Sequence, residues 1–462
     1  MAALAVLVDF GSTYTKAVAV DLERPALVAR AQHPSTVERD ITIGLEQVLA
    51  DLQRQAGGDV RLCLASSSAR GGLRMVAVGL VPELTAEAAR QAALGAGAKV
   101  VGVFSHELTR GDVEQIEALR PDLLLLAGGT DGGNREVIVR NARTLAAGRI
   151  EAPVIVAGNR VARDEVLALL QQGGKTAHAT ANVLPALDRL DVEPARAVIR
   201  EVFVQRIVDA KGLDRALARV DGIVMPTPAA VMQAAQLLSQ GAAGEPGWGD
   251  VMVVDVGGAT TDVHTVADAP PGEGLVPRGL PEPHAKRTVE GDLGLRVSAQ
   301  SVIALAQARE LRGDLARALA EPGARERGDF LAAHTEVLAA SDAERRLDAA
   351  MAAACVDIAV ERHVGHVQEA WGLHGPVRLL HGKDLRGVKA LVGVGGVFAH
   401  GADPWPALQA ALARAELPHS LRPAAPRLLQ DAHYVFYAMG LLASREPAIA
   451  LRLLAQSLVE KE

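Results

Sequence analysis

Two stretches of one design, placed far apart in the chain, limit its fold more than any other feature. The fuller copy runs from Val251 to Thr265, VMVVDVGGATTDVHT. Its first five residues are apolar and mostly β-branched and end in Asp255, which predicts a buried strand finishing in a carboxylate. Gly257 and Gly258 then let the main chain turn sharply and come close to a ligand. Thr260, Thr261 and Asp262 follow before the strand pattern resumes. The other copy, AVLVDFGSTYTKAVAVD, covers residues 5–21: an apolar strand, Asp9, a Gly11-Ser12-Thr13 turn, and a return strand carrying Lys16. A hairpin tip of this kind offers N–H groups and hydroxyls to an anion, with one cation beside them and a carboxylate able to hold a metal. Two such hairpins predict two related lobes facing one nucleotide.

Taken in order, residues 4–9, 15–21 and 25–31 read as consecutive strands, 41–55 as a helix ending before Gly57-Gly58, and 61–67 as the next strand. The order β-β-β-α-β is a half-domain pattern of the ribonuclease-H type. From Met75 the rhythm becomes strict strand–helix alternation up to about residue 190, the pattern of a parallel sheet with helices on its faces. That stretch reads as an inserted α/β subdomain. Its turn Gly128-Gly129-Thr130-Asp131-Gly132-Gly133-Asn134 falls where a strand meets a helix, the end at which open parallel sheets bind ligands, although an ordinary ordered turn explains it equally well. Residues 191–220 read as helical, and the strand-like run that follows is stopped by Pro226 and Pro228. Residues 304–372, rich in Ala, Leu, Arg and Glu, read as helical. The expected divisions are a first lobe over 1–74, the insertion over 75–190, connecting helices and a strand over 191–248, a second lobe over 249–430, and C-terminal helices over 431–462, the first of them returning to the first lobe.

A third element, Leu391 to Phe398 (LVGVGGVF), is an apolar strand ending in Gly395-Gly396 at a helix start, which suits an adenine or ribose lying flat against backbone. After two phosphate hairpins, its position carries more weight than its sequence. With these motifs in this order, the chain resembles the actin–Hsp70–sugar kinase superfamily of ATPases, and DAHYVFYAMGLLA, with Gly440, resembles that superfamily's second connecting helix. The resemblance implies an α/β fold of two ribonuclease-H-like lobes and an ATP and Mg²⁺ site. In it, Asp9 and Asp255 would position Mg²⁺ and the attacking water. Gly11, Ser12, Thr13, Lys16, Gly257, Gly258, Thr260 and Thr261 would bind phosphates, and Gly395 and Gly396 the nucleoside.

A closer resemblance covers nearly the whole chain. DFGSTYTK, AGGTDGGN, VMPTPAAV, DVGGATTD and TVEGDLGLR together are similar to the MutL/GlmL family, distinct in fold from the mismatch-repair protein of like name. The family implies an accessory protein of an adenosylcobalamin-dependent mutase (glutamate mutase or a related aminomutase), with ATP-driven, chaperone-like release of damaged cobalamin. In TVEGDLGLR, Glu290 and Asp292 would approach the nucleotide, by analogy with a glycine–acid turn in Hsp70-like ATPases. Acids complementing a helix N-terminus are an equally good reading. The insertion is the expected contact with the mutase.

Composition narrows the remaining choices. Aromatic residues are only 3%, too few for base-stacking surfaces, and a net charge of −7 without a charge run argues against nucleic acid or an anionic membrane as partner. No apolar stretch is long enough to span a bilayer and no basic n-region precedes Asp9, so a cytoplasmic protein is expected, with self-association compatible with the pattern. Cys63 and Cys355 form no ligand pair for the iron–sulfur cluster of a dehydratase-type activator. His363 and His366, spaced i, i+3, read as a solvated helix face rather than a metal site. A small-molecule kinase and a non-catalytic scaffold on the same fold stay as alternatives.

Overall fold

The computed structural model describes residues 3–11, 14–34, 36, 40–68, 73–208, 220–242, 244–309, 314–321, 323–372, 375–401 and 403–461. The first lobe opens with β1 (Ala3–Phe10), β2 (Tyr14–Asp21), β3 (Ala26–Pro34), α1 (Ile41–Ala56) and β4 (Asp59–Ser67). Every residue of β1 is buried, as its unbroken apolar run requires of a strand covered on both faces. The helix α1 starts because the Asp40 carboxylate accepts the Thr42 N–H, and stops at Gly57 in the left-handed conformation.

The insertion follows: β5 (Arg74–Val78), α2 (Glu87–Gly95), β6 (Lys99–Phe104), α3 (Arg110–Leu119), β7 (Leu123–Leu126), α4 (Glu136–Ala147), β8 (Val154–Val156), α5 (Arg163–Gln172) and β9 (Ala177–Ala179). Its strands make an all-parallel sheet in the order β6-β5-β7-β8-β9. Next come α6 (Glu193–Val208), β10 (Ile223–Pro226), α7 (Thr227–Gln240) and a two-residue hairpin, β11 (Gly241–Ala242) with β12 (Glu245–Pro246). The rest of the stretch expected to be helical, 209–219, lies outside the described residues.

The second lobe contains β13 (Val251–Val256), β14 (Thr261–Val266), β15 (Leu275–Arg278), β16 (Ala285–Glu290), α8 (Ala299–Ala308), α9 (Asp314–Ala320), α10 (Ala324–Ala333) and α11 (Asp342–His363). It continues through β17 (His366–Gly372), β18 (Gly375–His381), β19 (Ala390–Val394), α12 (Gly396–His400), α13 (Trp405–Gln409), β20 (Arg427–Asp431), α14 (Phe436–Ala443), α15 (Pro447–Ser457) and β21 (Leu458–Glu460).

The duplication is visible in strand order. The first sheet runs β3-β2-β1-β4-β10 and the second β16-β14-β13-β19-β20-β21. In each, a three-stranded antiparallel meander is followed by two strands parallel to its first strand. Each lobe therefore has the ribonuclease-H-like arrangement, and the fold is the two-lobed actin-like one. The inner faces of both sheets share one core with α7 and α14, built from Leu7, Val18, Val253, Val392 and Phe436 among others. The outer faces pack separately, the first on α1 and the second on α11. At the crossing of α7 and α14, a Cβ on Gly440 would lie 1.8 Å from the Ala230 carbonyl oxygen, so only glycine allows this approach.

Four details differ from the sequence reading. The run before Pro226 completes the first sheet beside β4, so that lobe is discontinuous in sequence. Pro226 and Pro228 do not merely stop that strand; they begin α7, where a missing N–H costs nothing. Residues 366–372, expected to be helical, form β17, which pairs with β18 once Val364-Gly365 ends α11. The C-terminal stretch is not helical throughout, because β21 adds to β20. Among the described residues, no helix is long and apolar enough to cross a membrane.

Candidate functional site

Asp9 and Asp255 occupy equivalent places near the ends of β1 and β13. Each hairpin is closed by the same bond, from Gly11 N–H to the Tyr14 carbonyl (3.1 Å) and from Gly257 N–H to the Thr260 carbonyl (2.9 Å). Register places Lys16 and Ser66 directly beside Asp9, on β2 and β4. Two hydroxyls donate to Asp9 Oδ1: Thr227 at the first turn of α7 (2.5 Å) and Ser66 (3.1 Å). Burial raises the proton affinity of Asp9, while Lys16 and the two hydroxyls oppose the rise. Asp255 lies opposite Asp262 on β14 and beside Val394 on β19. Burial, then the charges of Asp262, Asp9 and Asp431, lift its pKa to about 7, against the pull of Lys16. The two lobes thus bring their carboxylates within each other's field, with one ammonium between them.

Lys16 has a partner that the sequence reading did not find. Its Nζ donates to the Tyr434 hydroxyl (2.7 Å) and lies 4.1 Å from that ring's centroid. Burial alone would lower the lysine's pKa, but Tyr434, Asp9 and Asp255 hold it above the ordinary value. Tyr434 has φ of +54°, an uncommon conformation for a side-chain-bearing residue. The turn is fixed by Asp431, whose carboxylate accepts the Phe436 N–H (2.8 Å) as α14 begins. Burial raises Asp431 to about 6 despite bonds from the surrounding N–H groups.

Gly395 adopts φ of +111° at the end of β19, and a Cβ there would lie 2.4 Å from the Val256 carbonyl oxygen and 3.2 Å from Asp255 Oδ1. The third glycine motif therefore presses on the second hairpin beside its carboxylate, and Gly396 opens α12 next to it. Gly258 accepts N–H groups from Arg296 and Val297, so LGLRV buttresses the hairpin tip, and Arg296 is anchored by a bidentate pair with Asp348. Thr260 donates to Asp262 (3.3 Å).

Thr261 and Glu290 are placed differently from the expectation. They pair across β14 and β16 on the face opposite that of Asp255 and Asp262, because neighbouring residues of a strand alternate sides. Thr261 donates to the Leu293 carbonyl (2.9 Å), and Glu290 and Asp292 both hold Arg362 of α11 (2.7–2.9 Å). Ser12 and Thr13 lie outside the described residues.

The GGTDGGN turn sits at the carboxyl end of strand β7 of the insertion's sheet. Buried Asn159 and Asn182 bind its backbone at Gly129, Gly132, Gly133 and Asn134. His363 is neither solvated nor paired with His366: its ring nitrogens meet Thr265 (3.0 Å) and Thr288 (2.9 Å), and His366 is in β17, stacked on His381. Both cysteines are buried thiols with pKa pushed up to about 12. Ser66, Thr227, Asp431 and Tyr434 are the residues that sequence reasoning missed. The available signal was a polar residue ending an apolar strand in LCLASS, and a hydroxyl between two prolines in MPTP.

Among the described residues, no three His, Cys, Asp or Glu side chains cluster as metal ligands. Asp9 and Asp255 nevertheless fit Mg²⁺, which takes one or two carboxylates and fills its remaining positions with water and phosphate oxygens. The mutual strain of Asp255 with Asp262, Asp9 and Asp431 is the excess negative charge a cation would relieve.

The family model described as MutL protein matches residues 5–458. Protein MutL of Clostridium tetanomorphum is 45% identical over 459 residues, covering 98% of this chain and 99% of that protein. Among solved structures, nucleotide-free acetone carboxylase gives a TM-score of 0.40 at 16% identity, over 96% of this chain and 70% of that one. Gluconate kinase from Lactobacillus acidophilus gives 0.37 at 11% identity, over 100% and 93%. The fold assignment rests on the strand orders above, and the family on the first two matches: the chain belongs to the MutL protein family.

Proposed function

We propose that this protein binds and hydrolyses ATP between its two hairpins and uses the cycle to reactivate an adenosylcobalamin-dependent mutase of the glutamate mutase type, in the cytoplasm. The observation that carries the ATP reading is the meeting of Asp9, Lys16 and Asp255 from two duplicated lobes over a shared pair of helices. The mutase as partner is supported by family membership.

In this reading the hairpin N–H groups and Lys16 hold the β- and γ-phosphates, and Gly396, where a Cβ would face open space, leaves room for the nucleoside against backbone. Bound with the phosphates, Mg²⁺ would neutralise charge that develops on the transferred group. Asp9, fixed by Thr227 and Ser66, is the pre-oriented carboxylate for that ion. Asp255, with a pKa near neutrality, is suited to orient the attacking water and accept its proton. Phosphate binding would draw Lys16 from Tyr434 and close the lobes about the crossing of Ala230 and Gly440, and hydrolysis would release them.

The test is recovery of a cobalamin-inactivated mutase supplied with fresh adenosylcobalamin. Recovery that requires both this protein and ATP supports the reading. ATP hydrolysis without recovery would leave only the ATPase. Hydrolysis seen only with a small hydroxylated metabolite, which is itself phosphorylated, would replace it with a kinase.

A further inference from the structure

Arg287, on β16, is almost fully buried at 4% exposure, and all its guanidinium nitrogens are used. Nε and Nη2 bind Asp262 Oδ1 (2.8 and 2.5 Å). Nη1 donates to the carbonyls of Leu94 and Ala98 (2.9 and 2.8 Å), at the C-terminal end of α2 in the insertion. The Leu94 carbonyl belongs to the last turn of the helix, its negative end, and the Ala98 carbonyl to the turn that follows, so a buried cation there is well matched. One side chain thus joins the carboxylate beside Asp255 to the inserted subdomain.

The same turn reaches the other lobe. Gly97, with φ of +94°, brings its Cα so close to β10 that a Cβ would lie 3.0 Å from Pro226, the residue before Thr227, which holds Asp9. A second buried arginine, Arg196 of α6, lies against Gly95 and donates to the Ala285 carbonyl on β16 (3.0 Å). Residues 94–98 therefore lie against Arg287, which holds the Asp262 opposite Asp255, and against Pro226, next to the Thr227 that holds Asp9.

We infer that Arg287 is a positioning residue that fixes Asp262 beside Asp255 and couples nucleotide occupancy to the inserted subdomain through the α2–β6 turn. This rests on the nucleotide lying between Asp9 and Asp255, as proposed above. A change in lobe separation on binding displaces Asp262 relative to Pro226, and the turn held between them must follow. By linkage, whatever restrains the insertion alters nucleotide affinity by the same factor that the nucleotide alters the restraint.

The experiment compares wild type with Arg287→Lys and Arg287→Gln by hydrogen–deuterium exchange over 87–98, with and without Mg²⁺ and a non-hydrolysable ATP analogue, while calorimetry measures analogue binding. Wild type should bind the analogue and change its exchange in that segment about 5-fold or more. The arginine variants should still bind yet lose this ligand-dependent difference. A merely structural arginine would raise exchange equally in both states. If the variants do not fold, Gly97→Ala serves instead, since it strains the turn without replacing any side chain of the site, and it should reduce the same difference. Wild type that binds with no change over 87–98, or variants that keep the full change, would overturn the coupling alone. Failure of wild type to bind would overturn the site reading, and the coupling with it.

Discussion

Replacing Asp255 with Asn should make the protein more stable and inactive at once. The cost of the native carboxylate can be worked from its titration. In an unfolded chain an aspartate titrates near 3.9, whereas burial beside Asp262, Asp9 and Asp431 lifts Asp255 to about 7. A rise of about three pH units corresponds to roughly 4 kcal/mol favouring the protonated form in the folded state. The folded protein then binds the extra proton between those values, so the group's contribution falls as pH rises from about 4 to 7 and stays low above. The side chain is partly open to the cleft, so solvent screening reduces the gain, and we expect about 2 kcal/mol for Asp255→Asn at pH 8. Urea unfolding at pH 5 and pH 8, in EDTA without nucleotide, would measure it. The variant should gain much more over wild type at pH 8 than at pH 5, and Mg²⁺ with an ATP analogue should stabilise only wild type. Equal gains at both pH values, or a variant less stable at pH 8, would refute the electrostatic reasoning.

Three further outcomes are expected. Gly440→Val places a side chain where even a Cβ meets the Ala230 carbonyl at 1.8 Å. The two connecting helices must separate, and denaturant unfolding should show a loss at or above the usual ~1–3 kcal/mol of overpacking. Tyr434→Phe removes the hydroxyl that holds Lys16, so calorimetry should show ATP-analogue binding tightened about 2- to 10-fold. Lys383 is buried, bound to the Pro283 and His284 carbonyls, and lowered to about 8 chiefly by burial. The unfolded chain holds that proton up to about pH 10.4, so stability gains up to ~3 kcal/mol between pH 8 and 10.5, a rise that Lys383→Met should lack in pH-dependent melting.

What could be read in advance depended on whether a feature was local. The hairpins announce themselves because strand, carboxylate, glycine turn and return strand are contiguous, and the insertion because strand and helix alternate at short range. Strand β10 was harder to place: a four-residue run after the whole insertion joins β4 only through tertiary pairing. Thr227 looked like part of a break because prolines stop strands, yet the same prolines begin a helix that aims its hydroxyl at Asp9. Glu290 is expected near the nucleotide only by analogy with the glycine–acid turn of Hsp70-like ATPases. Its side of the sheet is set by register with Thr261, and a shift of one residue reverses the face. Tyr434 meets Lys16 across 418 positions of sequence, a contact no local pattern encodes.

Steady-state ATP turnover in Mg²⁺, for wild type beside Asp255→Ala, decides whether the two hairpins form one ATP site. Wild type should hydrolyse ATP slowly and be accelerated by an inactivated cobalamin mutase, with neither basal nor stimulated turnover in the variant. Turnover that survives Asp255→Ala unchanged would place the chemistry elsewhere and contradict a site formed by the two hairpins.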